Sequence, residues 1–285
     1  MSVLCCLLMS TTAWASFAAT TTAQSEAVRR LAERKDVEKM AGVEHAFVST
    51  TATEAEAPKQ PPVVTDRTAP IEDNAGVSLL TAWDATVGAP SGWRVFSEKP
   101  NAEGGPWHLG DDGILSCRGT PLGYLATRES YGDFVLRLQW RWPQGKEGKG
   151  GVLINLSGED RIWPKSLEAQ INAGQAGDFW GLAGFEFTGP AERLKTIDHA
   201  QFGRLTHLPR TTDAERPAGE WNEYEIRAEK ESVVLRINGR EVNRANRGAA
   251  VAGPIVLTAE GSPIEFRNIR VLVLDGAGRQ RSPTK

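Results

Sequence analysis

Cysteine is nearly absent from this chain, and two of its three copies, Cys5 and Cys6, lie in the opening apolar run. With that run removed Cys117 stands alone, and one thiol builds neither an intramolecular disulfide nor a cysteine-rich metal site. In "GILSCRG" it alternates with Leu115 away from Ser116 and Arg118, the pattern of a small buried residue. A basic excess is missing too: 33 Lys and Arg stand against 36 Asp and Glu, a formal net charge of -3, and the densest basic stretch is "RRLAERK". That excludes a broad cationic surface for phosphates, and nucleic acid with it as a partner. No apolar run approaches the roughly 20 residues that a membrane-spanning helix needs, so no membrane span is expected. Beyond residue 75 no stretch sustains a helical period, and no internal repeat suggests a propeller.

What the sequence holds instead is turn chemistry and tryptophan, with 29 Gly, 16 Pro and nine Trp against three Tyr. Residues 1–15 join a short apolar run to Ala13-Trp14-Ala15, the small-x-small pattern that a signal peptidase reads, so export to the periplasm or the exterior is expected, although no Lys or Arg precedes the run. Residues 16–76, with stretches such as "TTATEAEAPKQPPVVTDRTAP", carry too few apolar side chains to offset their ordering entropy. They read as a flexible low-complexity linker with one short helix over "SEAVRRLAERKDVEKMAG". Residues 77–275 are the expected β-sandwich domain and 276–285 a polar tail.

Within that domain the strand-like runs are "GWRVF", "WHLG", "GILSCRG", "GYLATRE", "DFVLRLQWRW", "GGVLINL", "SLEAQIN", "EYEIRAE", "SVVLRING", "REVNRA", "GPIVLTAE" and "IEFRNIRVLVL". Asp112-Gly113 in "LGDDGIL" and Asn238-Gly239 in "RINGREV" put residues that tolerate positive φ where hairpins turn. Without interleaved helices the sheets should be antiparallel, and so many strands cover their faces by packing two sheets together. The expected fold class is all-β, a two-sheet antiparallel sandwich.

The stretch "WPKSLEAQINAGQAGDFW", Trp163 to Trp180, carries the chemistry. Alternation along the strand puts Leu167, Ala169 and Ile171 on a core face and Ser166, Glu168 and Gln170 on the other, which is either plain solvent or the floor of a groove. Trp163 and Trp180 flank it, and an indole face suits the C–H face of a pyranose. Lys165, Asp178 and Glu260 are further polar candidates. In "DFVLRLQWRW" Arg137 and Gln139 share the polar face, so two adjacent strands are expected to form one hydrogen-bonding floor. Trp140 and Trp221 read as packing, and His108, His199 and His207 as scattered surface residues.

"GDFVLRLQWRWP", "GGVLIN", "WPKSLEAQINAGQAGDFW", "GEWNEYEI", "VVLRINGREV" and "GPIVLTAEGSPIEFRNIRV" follow one another in an order and spacing that resembles the 3-keto-disaccharide hydrolase family, from about Leu79 to Leu274. The resemblance implies a concanavalin A-like jelly roll, usually exported, acting on glycosides whose C3 hydroxyl has been oxidised to a ketone. One departure concerns the residues before "GVLIN", where the family often has Asn-Ser-Gly and this chain has Lys149-Gly150-Gly151.

The residues themselves speak against a conventional two-carboxylate glycosidase. Retaining enzymes on this fold resemble one another in a Glu-x-Asp-x-x-Glu strand, with carboxylates roughly 5 Å apart. The same register here gives Glu168, Gln170 and Ala173, so one carboxylate survives on the strand. A 3-ketone changes the requirement. It acidifies the C2 hydrogen, and the glycosidic oxygen at C1 lies β to the carbonyl, so one base and a stabilised enolate expel the aglycone, with hydration completing net hydrolysis. Glu168 is the candidate base and Gln170 the group that orients substrate or binds the oxyanion. A divalent cation that polarises the ketone has oxygen ligands available in Glu168, Asp178 and Glu260, with no spacing that establishes a site. Three readings stand: an enzyme on 3-keto-glycosides, a non-catalytic saccharide-binding module, and a structural sandwich.

Overall fold

The computed structural model describes residues 75–100, 105–143, 146–200, 202–248 and 251–275. The expected signal peptide, the helix within the linker, most of the linker itself and the polar tail lie outside these residues. Gly76, assigned by composition to the linker, already packs on the domain: its carbonyl accepts a hydrogen bond from Arg270 Nη2 at 2.6 Å.

Among the described residues there is no α-helix, and every strand pairing is antiparallel. One sheet orders β16 (Arg240–Asn246), β15 (Ser232–Ile237), β14 (Asn222–Glu229), β8 (Phe134–Arg141), β18 (Ile264–Val273), β6 (Leu115–Cys117) and β5 (Trp107–Leu109), with β1 (Val77–Ser78) also on β18. The second orders β12 (Lys195–His199), β13 (Gly203–Leu208), β11 (Phe179–Leu182), β10 (Lys165–Gln170), β9 (Gly151–Ser157), β17 (Val256–Ala259), β7 (Gly123–Thr127) and β4 (Trp93–Ser97). A short ribbon pairs β2 (Trp83–Asp84) with β3 (Ala89–Pro90). Each of the strand-like runs read from the sequence holds a strand. The short β1, β2, β3, β11, β12 and β13 carried no comparable signal.

The two large sheets share one core, a two-sheet jelly-roll sandwich. Leu136, Leu138, Trp140, Tyr224, Ile226 and Phe266 from the first sheet and Val152, Ile154, Leu167, Ala169, Phe179 and Leu257 from the second belong to a single buried cluster. Each large apolar side chain removed from water there contributes about 1.5–3 kcal/mol against the ordering entropy. Asn238 and Gly239, at φ 51° and 80°, join β15 to β16 in the two-residue turn that the sequence announces. Cys117 is buried, and its burial pushes the thiol up to about 12. Trp221 lies between the guanidiniums of Arg141 and Arg267, 4.6 and 4.1 Å from its ring, a packing role on the outer face of the first sheet.

Candidate functional site

The second sheet has an outer face as well as a core face, and β10 sets it. Since Leu167 and Ala169 enter the core, Glu168 and Gln170 point outward, yet they are only 6% and 7% exposed. They do not stand in plain solvent. In register with Glu168 are Trp180 on β11 and Leu153 on β9, and Trp180 is in turn opposite His207 on β13. Directly opposed residues share a face, so His207, Trp180, Glu168 and Leu153 form one row across four strands.

Gly151 begins β9 beside Gln170 and makes room for the carboxylate. A Cβ at this position would lie 2.3 Å from Glu168 Oε1. Its N–H donates to Thr258 Oγ1 at 2.7 Å, and Thr258 Oγ1 donates to its carbonyl at 3.2 Å. Glu260, two residues on from Thr258, joins the same neighbourhood. The Glu168 carboxyl is raised well above the ordinary carboxylate value, first by burial, then by the charges of Glu260 and Asp178. Glu260 is raised by burial too, and is held back by the Thr258 hydroxyl, the Lys149 charge and the Trp163 indole. Among the described residues no Lys, Arg or His forms an ion pair with Glu168.

Lys149 and Gly150 now have roles of their own where the family often has Asn-Ser. Lys149 supplies positive charge to Glu260, and Gly150 donates its N–H to Asn172 Oδ1 at 3.0 Å.

Beside the carboxylates, Asp178 is buried, with Oδ1 accepting the Arg210 N–H at 2.8 Å and Oδ2 2.8 Å from His207 Nε2. The imidazole stacks on Trp180 with ring centroids 4.0 Å apart and planes 14° apart. Glu215 ties the preceding turn in place, pairing with Arg210 and accepting the N–H groups of Gly174 and Ala176. Among the described residues, three buried polar atoms on this face lack a partner: Gln170 Oε1, Trp180 Nε1 and Glu260 Oε1. Unmet donors and acceptors that are shut off from water are costly, and together they suit a polyhydroxylated ligand.

The sequence candidates therefore separate. Glu168, Gln170, Asp178, Trp180 and Glu260 come together, and the Trp163 indole reaches Glu260. Trp163 holds φ 56°, which bulky residues seldom adopt, and packs edge-on against Phe202 with centroids 4.6 Å apart. Lys165 is exposed at the start of β10. Arg137 and Gln139 do not join β10 in one floor: β8 belongs to the opposite sheet, where Arg137 pairs with Glu225 at 2.8 Å and Gln139 Oε1 accepts from Arg267 Nε at 2.7 Å. Alternation gives the face of a strand but not its sheet. His207, read as a surface residue, is instead bound to Asp178, because β13 pairs with β11. Among the described residues no group of three or more His, Cys, Asp or Glu is placed to hold a metal ion, so Glu168, Asp178 and Glu260 do not assemble as a three-ligand set. A second carboxyl near Glu168 comes from Glu260, just after β17.

Residues 76–272, more than half of the chain, match the model of the 3-keto-alpha-glucoside-1,2-lyase-like domain, and the chain belongs to that family. It is thereby a carbohydrate-active protein. No curated protein matches it significantly in sequence. Among solved structures it is similar to a glycosyl hydrolase-like protein of Parabacteroides distasonis ATCC 8503, at 18% identity over 65% of this chain and 89% of that one, TM-score 0.45. It is also similar to the carbohydrate binding module CBM66 of Bacillus subtilis, at 13% identity over 63% and 94%, TM-score 0.45. A Bacillus licheniformis beta-glucanase is a further likeness, at 11% identity over 64% and 91%, TM-score 0.38. Among the described residues no helix is long and apolar enough to cross a membrane.

Proposed function

We propose that the protein is an exported enzyme that cleaves 3-keto-glycosides, with Glu168 abstracting the C2 proton and the aglycone leaving from C1. The observation that carries this reading is the state of Glu168: a carboxyl group buried on a strand face, paired with no cation among the described residues, its pKa raised by burial and by two neighbouring carboxylates. A base of raised pKa matches proton removal from carbon better than an ordinary surface carboxylate does. A plain glycoside has no acidic C2–H for such a base to take, whereas a 3-ketone delocalises the resulting charge into an enolate. The enolate oxygen needs a donor, and the Trp180 indole N–H, buried and without a partner among the described residues, stands in the row of Glu168. The Gln170 amide is next along β10. Hydration of the enone would complete net hydrolysis.

A non-catalytic saccharide-binding module is favoured by one observation of its own, the His207–Trp180 stack, a flat aromatic surface beside unpartnered polar atoms. Incubation with a 3-keto-glucoside and with its parent glucoside separates the readings. Turnover of the ketone with the parent inert is expected. Binding without turnover would favour the module, and equal cleavage of both would end the elimination scheme.

A further inference from the structure

We propose that Glu260 is the acid that protonates the departing aglycone oxygen while Glu168 acts as base, an assignment that rests on the elimination reading above. Two strands bring these carboxyls to one place. Glu168 Oε1 fills the space left by the missing side chain of Gly151, whose N–H and carbonyl both bond to the Thr258 hydroxyl, and Glu260 follows Thr258 by two residues. Burial and the charge of Glu260 both disfavour ionised Glu168. A further observation points to a ligand at this spot: Glu260 Oε1 is cut off from solvent and has no hydrogen-bond partner among the described residues. An unpartnered carboxyl oxygen is where the atom that exchanges a proton with Glu260 would sit.

The reaction balances on this pair. Of the two ways to place one proton on this pair, the reactive one has Glu168 as carboxylate and Glu260 as acid. The C2–H bond breaks, its proton passes to Glu168, and its electron pair enters the enolate of the C3 ketone. As the C1=C2 bond forms, the C1–O bond breaks, its electrons leave with the aglycone oxygen, and that oxygen takes the proton of Glu260. One carboxyl has gained a proton and the other has lost one. The summed charge of the pair is the same before and after, so the step runs in a buried site without creating net charge. The Lys149 charge favours ionised Glu260, the residue that must end as an anion.

The test uses the full chain and aglycones of different acidity. A 4-nitrophenyl 3-keto-glucoside expels a stable phenolate that needs no proton, whereas the methyl 3-keto-glucoside expels a strongly basic alkoxide. Glu260→Gln should lower kcat/KM on the methyl substrate by about 10²–10⁴-fold, the range of acid assistance, and leave the nitrophenyl substrate within a few-fold of wild type. Equal losses on both substrates, or no loss on either, would overturn the assignment. A wild-type series of aglycones needs no variant to fold: weak dependence of kcat/KM on aglycone acidity is expected, and a steep dependence overturns the proposal. If the folded wild type turns over neither ketone, the earlier reading fails instead.

Discussion

Adding one methyl group at Gly151 tests whether the position of the Glu168 carboxylate matters. The backbone of Gly151 is not in the left-handed region that favours glycine, so alanine fits it without strain. The new Cβ would stand 2.3 Å from Glu168 Oε1 and 3.0 Å from its Cγ and Cδ. Ordinary contacts begin near 3.5 Å, so the carboxylate must retreat by about 1 Å. A displacement of that size at a reacting group costs about 10²-fold in rate, or about 2.7 kcal/mol of transition-state stabilisation. Folding should suffer less. Crowding costs roughly 1–3 kcal/mol, and replacing glycine in a strand returns roughly 0.4–1 kcal/mol through the unfolded state. The assay is kcat/KM on a 3-keto-glucoside together with a thermal melt. We expect Gly151→Ala to be folded and about 100-fold slower, and to add no further loss when combined with Glu168→Gln. Near-wild-type turnover by folded Gly151→Ala would refute the placement of the base.

Glu168→Gln should abolish measurable turnover and yet stabilise the fold at neutral pH. The folded-state pKa of Glu168 is raised by burial, Glu260 and Asp178, so its cost is absent below the ordinary value of 4.5 and grows as pH rises toward the folded value. The variant should therefore melt above wild type at pH 7, by roughly 1–2 kcal/mol, with the gap closing near pH 4; a gap that widened toward pH 4 would contradict the sign. Arg137→Ala and Gln139→Ala should leave kcat/KM unchanged, because both side chains lie on the other sheet, and should cost about 0–1 kcal/mol in a denaturant melt. Leu167→Asp should prevent folding, since it puts an unpaired charge into the shared core, and circular dichroism would report the loss.

The alternation in "SLEAQIN" was enough to divide β10 into a core face and a polar face, and Asp-Gly and Asn-Gly were enough to place two hairpins, because period-2 patterning and turn conformation are local properties. Which sheet a strand joins is not local. Arg137 and Gln139 share a face on β8, but pairing of β8 with β14 and β18 carries them away from β10. His207 was illegible for the same reason: "GRLTHL" is short, and its partnership with Asp178 depends on β13 reaching β11. Glu260 was legible as a polar residue after a strand, but not as the neighbour of Glu168. That neighbourhood requires β9 and β17 to lie side by side, with Gly151 at the start of β9 bonded to Thr258.

The central claim is that C2–H cleavage precedes or accompanies aglycone release. The most direct measurement compares kcat/KM for a 4-nitrophenyl 3-keto-glucoside carrying hydrogen or deuterium at C2, over times too short for the unaided ketone to lose its label. With so good a leaving group, proton removal by Glu168 is the difficult step, and the deuterated substrate should react several-fold more slowly. Equal rates, with the label intact in both recovered substrate and product, would contradict the account and point to direct displacement at C1.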